Sequence, residues 1–282
     1  MEVTLAAERL FVLEERLTLD EIQQRAMDRR LQAFGSGLGS FLQRPKPEEV
    51  TLVSKQRRLE PLWHVAGRAV YVYERNRDYT VPASALDVEA LTVNGTRYES
   101  QAGAPGQRAF RIAAREHCRS EFAHESFTDG LTGGPVTDAA AIMAGPRSEV
   151  SDPASLASDD TIALPPEHRA SYVVRQLMTE IMKPVQADQM LEESVTLDVT
   201  DLYYRPMWAF EFTWQGKGKQ GIVEIDSVTG QTRQGKALVG QMKSMLSRDL
   251  LFDVGADTVG LFVPGGSIAV KLAKAAMDKN KK

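Results

Sequence analysis

A single cysteine, Cys118, stands in 282 residues, so an intrachain disulfide framework is excluded and a reducing compartment suits the chain. Long apolar runs are also missing. None reaches the roughly 18 residues that a membrane-crossing helix needs, and the longest apolar-leaning stretch, 250–270, is broken by Asp253, Asp257, Pro264 and Gly265–Gly266. No excess of positive over negative charge is present either, with a net charge of −4 and a pI near 5.7. That balance lacks the clustered cation excess that phosphate contacts demand, so nucleic acid is not expected as a partner. The opening "MEVTLAAERLFVLEERL" has neither a basic n-region nor a continuous h-region, so no export signal and a cytoplasmic location are expected.

What is present is an ordinary globular composition, 43% hydrophobic and 26% charged, long enough for one large domain or two modest ones. Residues 5–43 space Leu10, Leu13, Leu17, Ile22, Met27, Leu31 and Phe34 at helical steps, with Thr18 or Asp20 as a cap and Glu21 in the first turn. From Val50 the period becomes two. "EPLWHVAGRAVYVYERNRDYTVP", from Glu60, predicts strands with a slip at Gly67, and Asn94–Gly95 predicts a hairpin turn. Residues 107–124 read as a helix with Phe110, Ala114 and Cys118 on one side.

Between Thr128 and Pro166 small, polar and proline-rich residues erase any period, which predicts a flexible linker. A helix then carries Tyr172, Leu177, Ile181 and Val185 inward. "RPMWAFEFTWQGKGKQGIVEID", from Arg205, repeats the earlier cadence of proline, large apolar residue and tryptophan, and a turn at Thr229–Gly230 follows.

The repeated cadence predicts an α+β fold of two related halves, each a helix plus an antiparallel β-meander, with helical N- and C-terminal segments. The expected divisions are an N-terminal helical segment over 1–45, a first half over 46–127, the linker over 128–166, a second half over 167–235 and a helical C-terminal segment over 236–282. Trp63 and Trp208 would organise the two β layers.

The stretch from Trp208 to Gln234 resembles the closing half of a PepSY-type domain. Its strand would be Ala209–Trp214, its charged turn Gln215–Lys219, its second strand Gly221–Asp226 and its Thr-Gly turn Thr229–Gly230, after a helix around Tyr172–Lys183. The resemblance implies a regulatory or inhibitory module acting on an enzyme partner, and it brings no catalytic residues. An edge strand at Ala209–Trp214 would be its means of contact.

Few clusters promise chemistry. On a helix, His117, Glu121 and His124 would share one face, a donor set for zinc or iron and hence for a metal-dependent enzyme. A solvated face of alternating charge explains the same residues. "GSGLGS" at 35–40 follows a helix rather than a strand, so it reads as helix termination and not as a phosphate loop. Asp249, Asp253 and Asp257 fit a polar stripe. His64 and His168 read as satisfied core histidines, and Cys118 as a small core residue.

The C-terminus is more informative. Ser267 can cap a helix with Ile268 and Leu272 on one side and Lys271, Lys274, Lys281 and Lys282 clustered around it. That face suits docking onto an acidic protein surface, with an anionic membrane surface as the lesser alternative. The expectation is therefore a non-enzymatic cytoplasmic scaffold or adaptor binding protein partners through its helical termini, without a cofactor, and compatible with a homo-oligomer.

Overall fold

The computed structural model describes residues 1–34, 45–235 and 246–254, with the backbone of 269–272. Its elements in chain order are β1 (Glu2–Leu5), β2 (Glu8–Leu13), α1 (Leu19–Arg29), β3 (Val50–Pro82), β4 (Ala90–Val93), β5 (Thr96–Glu99), β6 (Gln101–Ala102), β7 (Arg108–Asp129), α2 (Ala139–Met143), β8 (Arg147–Glu149), β9 (Thr161–Ala163), α3 (Ala170–Ile181), β10 (Gln189–Trp214), β11 (Lys219–Asp226), β12 (Thr232–Gln234), α4 (Arg248–Leu251) and β13 (Ala269–Leu272). Eleven of the strands join one sheet.

The two long alternating stretches of the sequence make its spine. β3 and β10 pair antiparallel from Val50 opposite Trp214 to Glu74 opposite Gln189. The outer side of β10 is taken in turn by β1 and β2, both parallel, and by antiparallel β11. The outer side of β3 is taken by parallel β9 and antiparallel β7. β13 joins β1, β8 joins β2, and β12 joins β11.

The expectation of an α+β fold of two related halves, each a helix plus a meander, is thereby corrected: the described residues are mostly strand, joined in one large mixed sheet. The cadences "EPLW" and "RPMW" lie side by side in one sheet, with Glu60 directly opposite Arg205. Proline is ill-suited to a central strand because it has no N–H to donate, and the sheet accommodates both prolines by the same device. Pro61 falls where the outer neighbour of β3 changes from β9, ending at Leu59, to β7, starting at Leu62. Pro206 falls where the neighbour of β10 changes from β2, ending at Tyr204, to β11, starting at Met207. Their carbonyls are satisfied by chain ends leaving the sheet: Gly130 N–H donates to Pro61 O (2.9 Å), and Ser227 N–H to Pro206 O (3.2 Å).

The helices α1 and α3 cover one face. Trp63, Val65, Tyr71, Tyr73, Leu202 and Tyr204 pack against Val173, Val174, Leu177 and Ile181 of α3. Phe210, Phe212, Val223 and Ile225 pack against Ile22 and Ala26 of α1. On the opposite face Phe11, Leu13, Leu62 and Tyr203 meet Ile142 of α2. Among the described residues no helix is long and apolar enough to cross a membrane.

β3 keeps its period through Gly67, and the register shift lies across from it, between Leu197 and Val199 of β10. A Cβ at Gly67 would stand 2.6 Å from the Thr196 carbonyl oxygen and 3.3 Å from Leu177 of α3. Because the nearest obstacle is backbone, Gly67→Ala is expected to destabilise the chain by about 1–3 kcal/mol. Chemical denaturation checks this, and an unchanged midpoint would refute the close approach.

Local signals hold where they were strongest. Thr18 and Glu21 form a reciprocal capping box at α1. Asn94 and Gly95 take positive φ between β4 and β5, as Gly230 does after β11. Three longer stretches differ from expectation. Residues 2–13 are strands rather than helix, and 108–129 is a strand rather than a helix. The 128–166 segment contributes β8 and β9 to the sheet and α2 to a core, instead of running free as a linker. The glycine loop at 35–40 lies outside the described residues.

Candidate interaction surface

The charges meet most densely at the junction marked by the two prolines. On the face opposite α1 and α3, Arg58 and Glu60 of β3, Arg205 of β10, Glu224 and Asp226 of β11 and Arg233 of β12 form one network. Arg58 Nη1 donates to Glu224 Oε1 at 2.6 Å, and Arg233 Nε donates to Glu224 Oε2 at 2.6 Å. Arg233 also pairs with Glu60, whose other oxygen lies 3.7 Å from Arg205. Burial pushes the Glu60 carboxyl up from its ordinary value, while the Arg233 and Arg205 guanidiniums pull it back. Burial likewise lowers the Arg58 guanidinium, opposed by Glu224. Asp226 also accepts the N–H groups of Val228 (2.7 Å) and Thr229 (3.1 Å), tying the network to the turn that starts β12.

Three guanidiniums against three carboxylates leave no net charge for a ligand, and no nucleophile stands among them. The cluster acts as a clamp where four outer strands leave the spine. A bidentate pair elsewhere, Arg9 with Asp201 (2.8 Å for both bonds), fastens β2 to β10, and Tyr203 donates to the same carboxylate.

A long strand edge lies on the other side of β3. β7 follows β3 from Asp129 opposite Leu62 to Ala109 opposite Pro82 without a register shift. Its outer side is occupied only at its ends among the described residues. β6 pairs at Arg108 and Ala109, and the 134–136 segment pairs near Phe127 and Asp129. Between these, Arg111–Glu125 is an edge without a strand partner among the described residues. Phe127 O accepts from Val136 N–H and Asp129 N–H donates to Gly134 O, so odd-numbered residues of β7 turn their backbone groups outward. From Arg111 to Glu125 those outward groups have no ladder partner among the described residues, and such an edge is a template for another strand.

Beyond Glu74, opposite which β10 begins, β3 and β7 continue as a two-stranded ribbon among the described residues, Arg75–Pro82 with Ala109–Glu116, crowned by the β4–β5 hairpin. At about 3.4 Å per residue the ribbon projects some ~27 Å. Its own β3 edge is capped at its two ends, where Asp188 accepts the Asn76 N–H at 2.6 Å and Pro82 has no N–H to offer. Tyr79 (48% exposed) and Val81 (38%) lie on the α3 side of the ribbon with Ile112, and Leu86 (63%) lies toward its tip. At the base, hydrogen bonds from Tyr79 and then Arg75 hold the Glu116 carboxyl below its usual range.

The expected site residues fall differently. His117, Glu121 and His124 sit on β7 and not on a helix, so His117 and Glu121 project from one face and His124 from the other. His117 Nδ1 lies 3.0 Å from Glu74 Oε1. Among the described residues no group of three or more His, Cys, Asp or Glu converges as a metal site. Trp63 is fully buried on β3, and Trp208 is half-buried on β10 with its Nε1 donating to Glu15. Ala209–Trp214 has β3 on one side and β11 on the other, which withdraws the free edge expected there.

At the C-terminus, Lys271 and Leu272 belong to β13, a strand parallel to β1, in place of the expected helix. Ile268, Lys274, Lys281 and Lys282 lie outside the described residues. Asp253 lies beyond α4 rather than in a helical polar stripe and receives the Ser171 N–H and hydroxyl at the start of α3 (2.8 and 2.7 Å). Asp257 lies outside the described residues. His64 stacks on Phe127 and meets Glu125 at 2.7 Å, and the His168 carbonyl accepts from Trp63. Cys118 packs half-buried against the α3 core and is unpaired.

The β7 edge escaped sequence reasoning, although a signal was present. In "RIAAREHCRSEFAHE" half-buried Ile112, Ala114, Cys118, Ser120 and Phe122 alternate with exposed positions. No family model, no curated protein and no solved structure matches this chain.

Proposed function

We propose that the chain is a non-enzymatic, cytoplasmic scaffold that binds protein through the β7 edge and the ribbon continuing it. The observation carrying this reading is the run Arg111–Glu125, which has no strand partner on its outer side among the described residues and whose outward backbone groups are held in line by an unbroken ladder to β3. Strand addition supplies affinity through backbone hydrogen bonds and specificity through alternate side chains. The charged clamp and the two helix-covered cores keep that edge rigid, so little ordering has to be done on binding.

A photo-crosslinking residue placed at Ala123, on the edge, tests the reading against one placed at Val53, which is 57% exposed at the other end of β3. Illumination of cells making the chain is expected to give adducts from Ala123 and none from Val53. Equal adducts from both positions, or none from Ala123, would overturn it.

A further inference from the structure

We propose that the occupant of the β7 edge is the β7 edge of a second copy of this chain, running antiparallel about a two-fold axis at Cys118. This rests on the reading of the edge as an interaction surface and names its partner. Odd-numbered residues carry the outward N–H and C=O groups, so an antiparallel partner must match odd residues with odd. Within that restriction the side chains choose the register. Centring on Cys118 sets Arg111 opposite Glu125, Ala113 opposite Ala123, Arg115 opposite Glu121 and His117 opposite Arg119, each contact occurring twice by symmetry. Sliding by two residues one way puts Arg115 opposite Arg119. Sliding the other way puts Arg119 opposite its own copy.

The same register accounts for the apolar side of the ribbon. Even-numbered residues of β7 face the α3 side, where Ile112 of one copy falls opposite His124 of the other. His124 stands at a cleft of about 350 Å³ between β7 and α3, lined by Thr128, Gln176, Leu177, Thr179 and Glu180. Tyr79 pairs with Ile112 on the same face and is carried toward that cleft with it. Each ribbon thus reaches along the body of the other copy, and the sheet runs continuously from one β10 to the other.

Three measurements on the purified full chain test the register. Sedimentation equilibrium is expected to give twice the 31.2 kDa chain mass. Arg115→Glu sets like charges opposite each other at two places and is expected to weaken the dimer about tenfold or more, whereas the swap Arg115→Glu with Glu121→Arg restores it. The axis brings the two Cys118 residues face to face as a non-hydrogen-bonded pair with Cα atoms about 4.5 Å apart, within disulfide reach. Diamide, taking up the two thiol hydrogens, is therefore expected to give a covalent dimer that Cys118→Ser abolishes. A monomer at all concentrations, or a dimer indifferent to Arg115→Glu that does not cross-link through Cys118, overturns the proposal. If Ala123 probes still capture a different protein, the scaffold reading stands and only the second copy falls. If they capture nothing, both fall.

Discussion

Replacing Glu224 with alanine is expected to lower the free energy of unfolding by about 3–5 kcal/mol, because a buried pair loses one partner and strands the other. The carboxylate serves two guanidiniums at once, Arg58 through Oε1 and Arg233 through Oε2. Arg58 is only 6% exposed at its side chain, and its Nε already lacks a protein partner, so the freed charge loses its only hydrogen-bonded carboxylate among the described residues. Arg97→Ala supplies the contrast. Its pair with Glu99 is two-thirds exposed on both sides, and its removal is expected to leave the urea midpoint unchanged within error. Equilibrium unfolding in urea, followed by tryptophan fluorescence, measures both. Equal losses would show that the network contributes no more than a surface pair.

Trp63→Ala is expected to cost about 3–5 kcal/mol as well, by a different route, the loss of a large buried side chain and the cavity left behind. The ring is fully buried in the α3 core and meets Phe252 edge to face at 5.5 Å. Its Nε1 donates to the His168 carbonyl at 2.7 Å, binding the start of α3 to the spine. Trp63→Phe keeps most of the apolar contact and leaves that carbonyl without its donor, a loss of about 1–3 kcal/mol. Trp208→Ala is expected to cost less than Trp63→Ala, since Trp208 is half-buried and bonded to a partly exposed carboxylate. A larger loss at Trp208 than at Trp63 would contradict the packing.

The two tryptophans look equivalent in sequence and are not, which shows what local patterns convey here. Caps and turns were legible because their partners lie within a few residues, as with Thr18 and Glu21 or Asn94 and Gly95. The amphipathic α3 was legible too. β2 was not, because it is buried on both faces: Leu10 enters the α3 core and Leu13 the opposite core, and their three-residue spacing imitates a helix. β7 misled through small and charged residues at its half-buried positions, Ala114 and Glu116 among them. The short strands of 128–166 carry no period at all, since three residues joined to distant neighbours leave no repeat. The charged clamp was written in "EPLW" and "RPMW", yet only the register of β3 on β10 reveals that Glu60 and Arg205 face each other.

The placement of β10 late in the chain, as the shared neighbour of β1, β2, β3 and β11, governs the order in which the molecule can be made. Glu2 pairs with Ser194, so at a synthesis rate of about 5–20 residues per second β1 waits roughly 10–40 s for its partner to leave the ribosome. β3 and β7 need no such wait, since their long hairpin is complete once Asp129 has emerged. During that interval the inner side of β3 is as bare as the outer side of β7. The nascent chain therefore passes through a stage with two open edges, of which the arrival of β10 closes one.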